Sequence, residues 1–108
     1  MICRMWNGYL AEANAPLYER YLAEELFPHL KATIGERGFL GYQVLRAPHG
    51  TQVRITTLVW FTSLDAVRSF AGDDFAKAVL TEKARSLVSR WDQEATHHEV
   101  VAGTARIE

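Results

Sequence analysis

The sequence predicts an α+β domain in which one four-stranded antiparallel sheet carries its helices on a single face. Three observations predict it. Stretches rich in β-branched and aromatic residues recur along the 108-residue chain, longer stretches with helical periodicity lie between them, and clusters of turn residues separate the two kinds. Their order is strand, helix, strand, strand, helix, strand.

"MICRMWNGYL" opens the chain as a strand over about residues 2–9. Alternation puts Ile2, Arg4 and Trp6 on one face and Cys3, Met5, Asn7 and Tyr9 on the other, so each face carries a polar residue among apolar ones. "EANAPLYERYLAEELFPHLKATIG" reads as a helix, with Asn14 as N-cap and Pro16 tolerated in the first turn. Leu17, Tyr18, Tyr21, Leu22, Leu26 and Leu30 recur at helical spacing; Pro28 should kink the helix and Gly35 should end it. "FLGYQVLRA" and "QVRITTLVWF" are strands joined by the turn residues of "PHGT". Thr62 or Ser63 caps a short helix with Asp65 near its positive end, and Gly72 stops it. Asp73 or Asp74 then caps a helix over "FAKAVLTEKARSLVSRW", and "EATHHEVVAG" is the last strand. This is the ferredoxin-like βαββαβ order, in one domain spanning 1–108. The sheet's second face would leave Ile2, Trp6 and third-strand residues exposed, which predicts a homodimer with a barrel formed between subunits.

Composition narrows the function classes. A net charge of −1 with no basic stripe gives nucleic-acid binding no support. No apolar run approaches the ~18 residues of a membrane span, and no signal-peptide pattern opens the chain. Cys3 is the only cysteine, which excludes an internal disulfide and fits a cytoplasmic protein, with Cys3 itself a small core residue. Adjacent His97 and His98 point to opposite faces of a strand, and His29 and His49 lie in a helix end and a turn, so no metal site is expected.

Together, "MICRMWNGYL", "EELFPHL", "LVWFTSLDAVRSFAG" and "HHEVV" resemble the antibiotic-biosynthesis-monooxygenase family of dimeric α+β barrels. The resemblance spans nearly the whole chain and is most specific at "VWFTSLDAVRSF". It implies a cofactor-independent monooxygenase acting on an aromatic or polyketide-like compound, in which the protein helps to ionise a phenol and the anion reacts with O2 without flavin or metal. It also implies a substrate cleft between sheet and helices, lined on the first strand by Cys3, Met5 and Asn7. Asn7 would then hold a ligand oxyanion and His98 would accept its proton as a base, while the structural alternative for each is a buried or core-rim group meeting its own hydrogen-bond needs. Met5, Tyr18, Tyr21, Trp60 and Phe70 are candidate substrate contacts, with core or interface packing as the alternative for Tyr18, Tyr21 and Trp60. Arg4, on the barrel face, would pair with Glu99, and Arg54 is either a barrel-face charge or a contact to an acidic ligand.

The haem-degrading branch of that family pairs a first-strand asparagine with a tryptophan and a histidine on the later helices. Asn7 matches the first, but Phe70 stands near the second position and Val79 and Leu80 near the third, which leaves no axial ligand there. A non-catalytic dimeric barrel that binds a small hydrophobic ligand, or serves a stress or regulatory role, is the alternative to the enzyme.

Overall fold

The computed structural model describes residues 1–104. Strand β1 (Ile2–Ala11) lies at the middle of the sheet, and β3 (Gln52–Phe61) pairs with its whole length, from Ile2 opposite Phe61 to Ala11 opposite Gln52. β2 (Phe39–His49) forms a hairpin with β3, and Gly50 takes a positive φ of 61° in the turn, as the sequence "PHGT" leads one to expect. On the other side of β1 the pairing is divided. β5 (Thr96–Glu99) covers Ile2–Met5, and the two-residue β4 (Arg90–Trp91) covers Gly8 and Tyr9. The sheet order is β2-β3-β1-β4, with β5 on the same side of β1 as β4, and all pairs are antiparallel.

Burial along β3 alternates without a break: Val53, Ile55, Thr57, Val59 and Phe61 are buried and the residues between them are not. These side chains share a face with Arg4, Trp6 and Leu10 of β1, all at most 8% exposed, and the helices cover that face. The expected register is therefore reversed. Arg4 and Trp6 point toward the helices, whereas Met5 and Asn7 point to the open side; Cys3 also lies there, buried beside its cross-strand neighbours Trp60 and His98.

The first helix is continuous but not uniform. α1 (Ala15–Tyr21) passes into a π-helical turn over Leu22–Leu26 and then α2 (Phe27–Ile34). Pro28 has no N–H to donate into an α turn, and the chain widens just before it rather than simply kinking. Leu17 is 52% exposed, so it is not one of the core positions its spacing suggests; Phe27 and Ile34 are. Asn14 precedes α1 without capping it, its amide bonding instead to the Leu87 carbonyl at 3.2 Å. Gly35 continues into a short 3-10 turn, and the chain reverses at Gly38, φ 103°.

α3 (Leu64–Ala71) is capped by Ser63, whose oxygen accepts from the Ala66 N–H at 3.2 Å. The long helix expected after Gly72 is the largest difference: only α4 (Glu82–Leu87) is helical, and Thr81 caps it. Residues 75–80 are irregular because the chain there is held from outside. Lys77 bridges to Glu94, Ala78 N–H donates to Gln93 O, and Ala95 N–H donates to Ala76 O. No helix among the described residues is long and apolar enough to cross a membrane.

A candidate ligand cleft between sheet and helices

The helix-covered face encloses a cavity of about 40 Å³. Trp6, Val59, Leu22, Leu26, Phe27 and Phe70 make its walls apolar, and Val79 closes one side from the irregular segment. Arg4, Tyr18 and Thr57 supply its polar groups. β1 and β3 present Arg4 and Thr57 through simple alternation, α1 presents Tyr18, and the π turn brings Leu22 and Leu26 inward from one side. A larger open groove of about 900 Å³ runs between α2 and β2, but its charged side chains, Lys31, Glu36 and Arg37, are exposed and none is held in place by burial. The buried polar groups are in the smaller space.

Arg4 is 4% exposed. Its Nη1 donates to the Phe75 carbonyl and faces His97 Nε2 at 3.0 Å, its Nη2 donates to the Lys77 carbonyl at 2.9 Å, and its guanidinium carbon lies 5.3 Å from the Phe70 ring centre. Glu99 is opposite Ile2 and exposed, so the expected Arg4–Glu99 pair does not form. Burial lowers the Arg4 pKa to about 10. Burial, then the Arg4 charge, then His98 lower the His97 pKa, and a neutral His97 with its proton on Nδ1 accepts from Arg4. Phe75 packs edge-on against the same imidazole, 5.1 Å between centres.

Tyr18 is 3% exposed, and burial, with a smaller contribution from Tyr21, pushes its phenol above the usual range. Neither the Tyr18 nor the Thr57 hydroxyl is hydrogen-bonded among the described residues, yet no polar side-chain atom there is sealed away unsatisfied. Neither hydroxyl is therefore sealed off, and both residues line the cavity.

Of the residues singled out in the sequence, Tyr18 and Phe70 line the cleft. Tyr21 lies behind it, stacked on Tyr18 at 6.3 Å with its hydroxyl 2.6 Å from Thr81 Oγ1. Met5 and Trp60 are on the open face, as are Asn7 and His98. Asn7 accepts from Thr56 at 2.5 Å and donates to the Asp92 carboxylate at 2.9 Å; His98 Nε2 is 2.8 Å from Thr96 Oγ1. His98 sits opposite Cys3, four residues from Asn7, so the two are separated by roughly 13 Å along the strand and do not converge on one atom. Arg4, Trp6 and Thr57, which line the cleft, and His97, which meets Arg4, were not among the residues expected there; a charged residue inside a strand otherwise fit for a core was the available signal. Among the described residues, no three His, Cys, Asp or Glu side chains cluster as metal ligands do.

No family model matches the sequence, and no curated protein matches it. Solved structures do. A point mutant of MhuD with two manganese protoporphyrin IX bound per active site superposes with a TM-score of 0.68 at 20% identity, covering 98% of this chain and 100% of that one. A dimeric ferredoxin-like protein from an uncultured marine organism gives 0.68 at 16% identity, over 97% and 98% of the two chains. A candidate antibiotic biosynthesis monooxygenase from Bacillus cereus gives 0.61 at 13% identity, over 100% and 98%. The chain thus has the ferredoxin-like fold of the antibiotic-biosynthesis-monooxygenase type, the fold its sequence resembles.

Proposed function

We propose that the protein is a small cofactor-independent monooxygenase whose aromatic or polyketide-like substrate enters the sheet–helix cleft. One observation carries this reading: a buried cation and two open hydroxyls, from Arg4, Tyr18 and Thr57, converge on a cavity with otherwise apolar walls. Such an arrangement stabilises the anion of a phenol where it forms, because the donors are fixed in place and water is largely excluded. For a simple phenol the reaction balances without a reductant: the phenol loses its hydroxyl hydrogen and one ring hydrogen, one oxygen atom of O2 becomes the new carbonyl and the other leaves with those hydrogens as water. The oxyanion-holding role expected of Asn7 passes in this reading to Arg4 and Tyr18. No base role is assigned to His98, which lies on the other face.

The cleft's own side chains do not suit a haem. They include no imidazole or thiol, His97 already accepts from Arg4, and the raised Tyr18 pKa disfavours a phenolate ligand.

Assembly belongs to the same proposal. Leu45 (47% exposed), Met5 (36%), Leu58 and Trp60 form an apolar belt across the open face, and a second copy of this sheet would cover it. The dimeric ferredoxin-like neighbour supports that pairing.

The test is oxygen uptake with a panel of hydroxylated aromatics. We expect turnover by the native protein and a loss of about tenfold or more in Tyr18→Phe with folding intact. Absence of uptake across the panel would leave the non-catalytic ligand-binding barrel as the better description.

A further inference from the structure

We propose that the cleft takes its ligand as an anion: a planar aromatic bearing one carboxylate or ionised hydroxyl that pairs with Arg4. This rests on the cleft being the ligand site and goes further by fixing the ligand's charge. Arg4 is 96% buried by its 4% exposure, and none of the ion pairs among the described residues involves it. Its partners are two backbone carbonyls and an imidazole, which accept hydrogen bonds but carry no negative charge. A buried cation held in this way is solvated without being neutralised, and a ligand anion would be its first counter-charge. Its Nε has no hydrogen bond among the described residues and is not sealed off, so one donor is available for a first contact. The nearby carboxylate of Asp92 is not a substitute, because it bonds Asn7 on the opposite face.

Size sharpens the inference. About 40 Å³ accommodates a carboxylate head but not an aromatic ring, so the cleft must widen for a ligand. The wall with the least packing is Val79, 47% exposed, in the irregular segment 75–80. That segment is fastened to Arg4 through the carbonyls of Phe75 and Lys77. An anion that draws the guanidinium away from those carbonyls loosens the wall that has to move. A neutral ligand of the same shape would take the same hydrogen bonds from a cation and return no charge.

The experiment compares 2-naphthoate with 2-naphthamide, equal in shape and different in charge, by calorimetry on the full chain near neutral pH. Naphthoate should bind at least about tenfold more tightly, and Arg4→Gln should bring the two within about twofold. Equal binding, preference for the amide, or binding of neither overturns the proposal. So does a preference that survives Arg4→Gln, which would place the acid on another cation such as Arg54 or Arg90. Should Arg4→Gln fail to fold, the indole N–H resonances of the native protein decide: a naphthoate shift at Trp6 supports the cleft, and a shift confined to Trp60 or Trp91 overturns it. The two readings fail separately. Naphthoate bound with no oxygen uptake from any phenol defeats the oxygenase alone, whereas neutral phenols oxidised with naphthoate ignored defeats only the anion.

Discussion

The two faces of one sheet differ here more than any two elements do. On β3, Ile55 and Phe61 are wholly buried under the helices, while Leu58 and Trp60, between them in sequence, lie on a face the chain itself leaves uncovered. β1 repeats the contrast. Its helix side holds an uncompensated cation in a cleft, and its open side holds Asn7 in a closed set of neutral and acidic partners, Thr56 and Asp92. The difference teaches that polar residues in one strand are told apart by what their neighbours leave unmatched. Asn7 has its donor and acceptor both answered; Arg4 has its hydrogen bonds answered and its charge left over.

Mutations on the two faces break or sharpen this contrast. Ile55→Ala should cost about 2–5 kcal/mol in urea unfolding, because the site is fully enclosed and leaves a cavity. A cost below about 1 kcal/mol would mean that the covered face is loosely packed. Leu58→Asp should leave the subunit folded and weaken self-association at least about a hundredfold in sedimentation or native mass spectrometry. An unchanged dimer would place the interface elsewhere, and a native protein that is monomeric at micromolar concentration would remove it. Asn7→Ala should cost about 1 kcal/mol of stability through its lost contacts and leave naphthoate affinity unchanged. A loss of affinity without a loss of stability would return Asn7 to the ligand site.

The smallest expected effect is on pH dependence. The folded state holds the His97 pKa below its ordinary value, so the unfolded chain binds more protons as the pH falls past about 6.5. Stability attributable to neutral His97 is complete above that pH and is lost as the pH falls through the depressed folded value. His97→Gln should therefore show a shallower acid-side loss of stability than the native protein. A steeper one would mean that His97 is charged in the fold.

Much of the architecture was legible because β2 and β3 carry the alternation and turn chemistry of a hairpin in adjacent residues, and Ser63 and Asp65 mark the start of α3 locally. The face of β1 was not. Arg4 and Trp6 on one side balance Met5 and Asn7 on the other, and the deciding contacts, to Phe75, Lys77 and His97, lie 71 to 93 residues away. The lost helix over residues 75–91 has the same cause. Its apolar spacing is helical, but the pairing of residues 76–78 with 93–95 outweighs local propensity, and Thr81 restarts the helix after it. Asn7 and His98 were expected on the helix side because the face of β1 was read the other way round; Tyr18 and Phe70 line the cleft as expected because they lie on helices, where burial did not depend on that choice.

The π turn at Leu22–Leu26 also constrains how the gene can change. From Tyr18 on, the buried residues of the first helix run Tyr18, Tyr21, Leu22 and then, five positions on, Phe27, followed by Leu30 and Ile34. An ordinary helix through these same five residues would carry everything after them about 100° further round. Phe27, stacked 3.9 Å from Tyr42, would swing off the sheet, and the two halves of the helix could no longer face it together. The wider turn absorbs one extra residue and keeps two amphipathic segments in phase. A single-residue deletion here would set Leu22 and the present Phe27 at i, i+4 of an ordinary helix, still on one face, so this turn is where the helix can be shortened or substituted, and the cleft reshaped, while the rest of the fold stays in register.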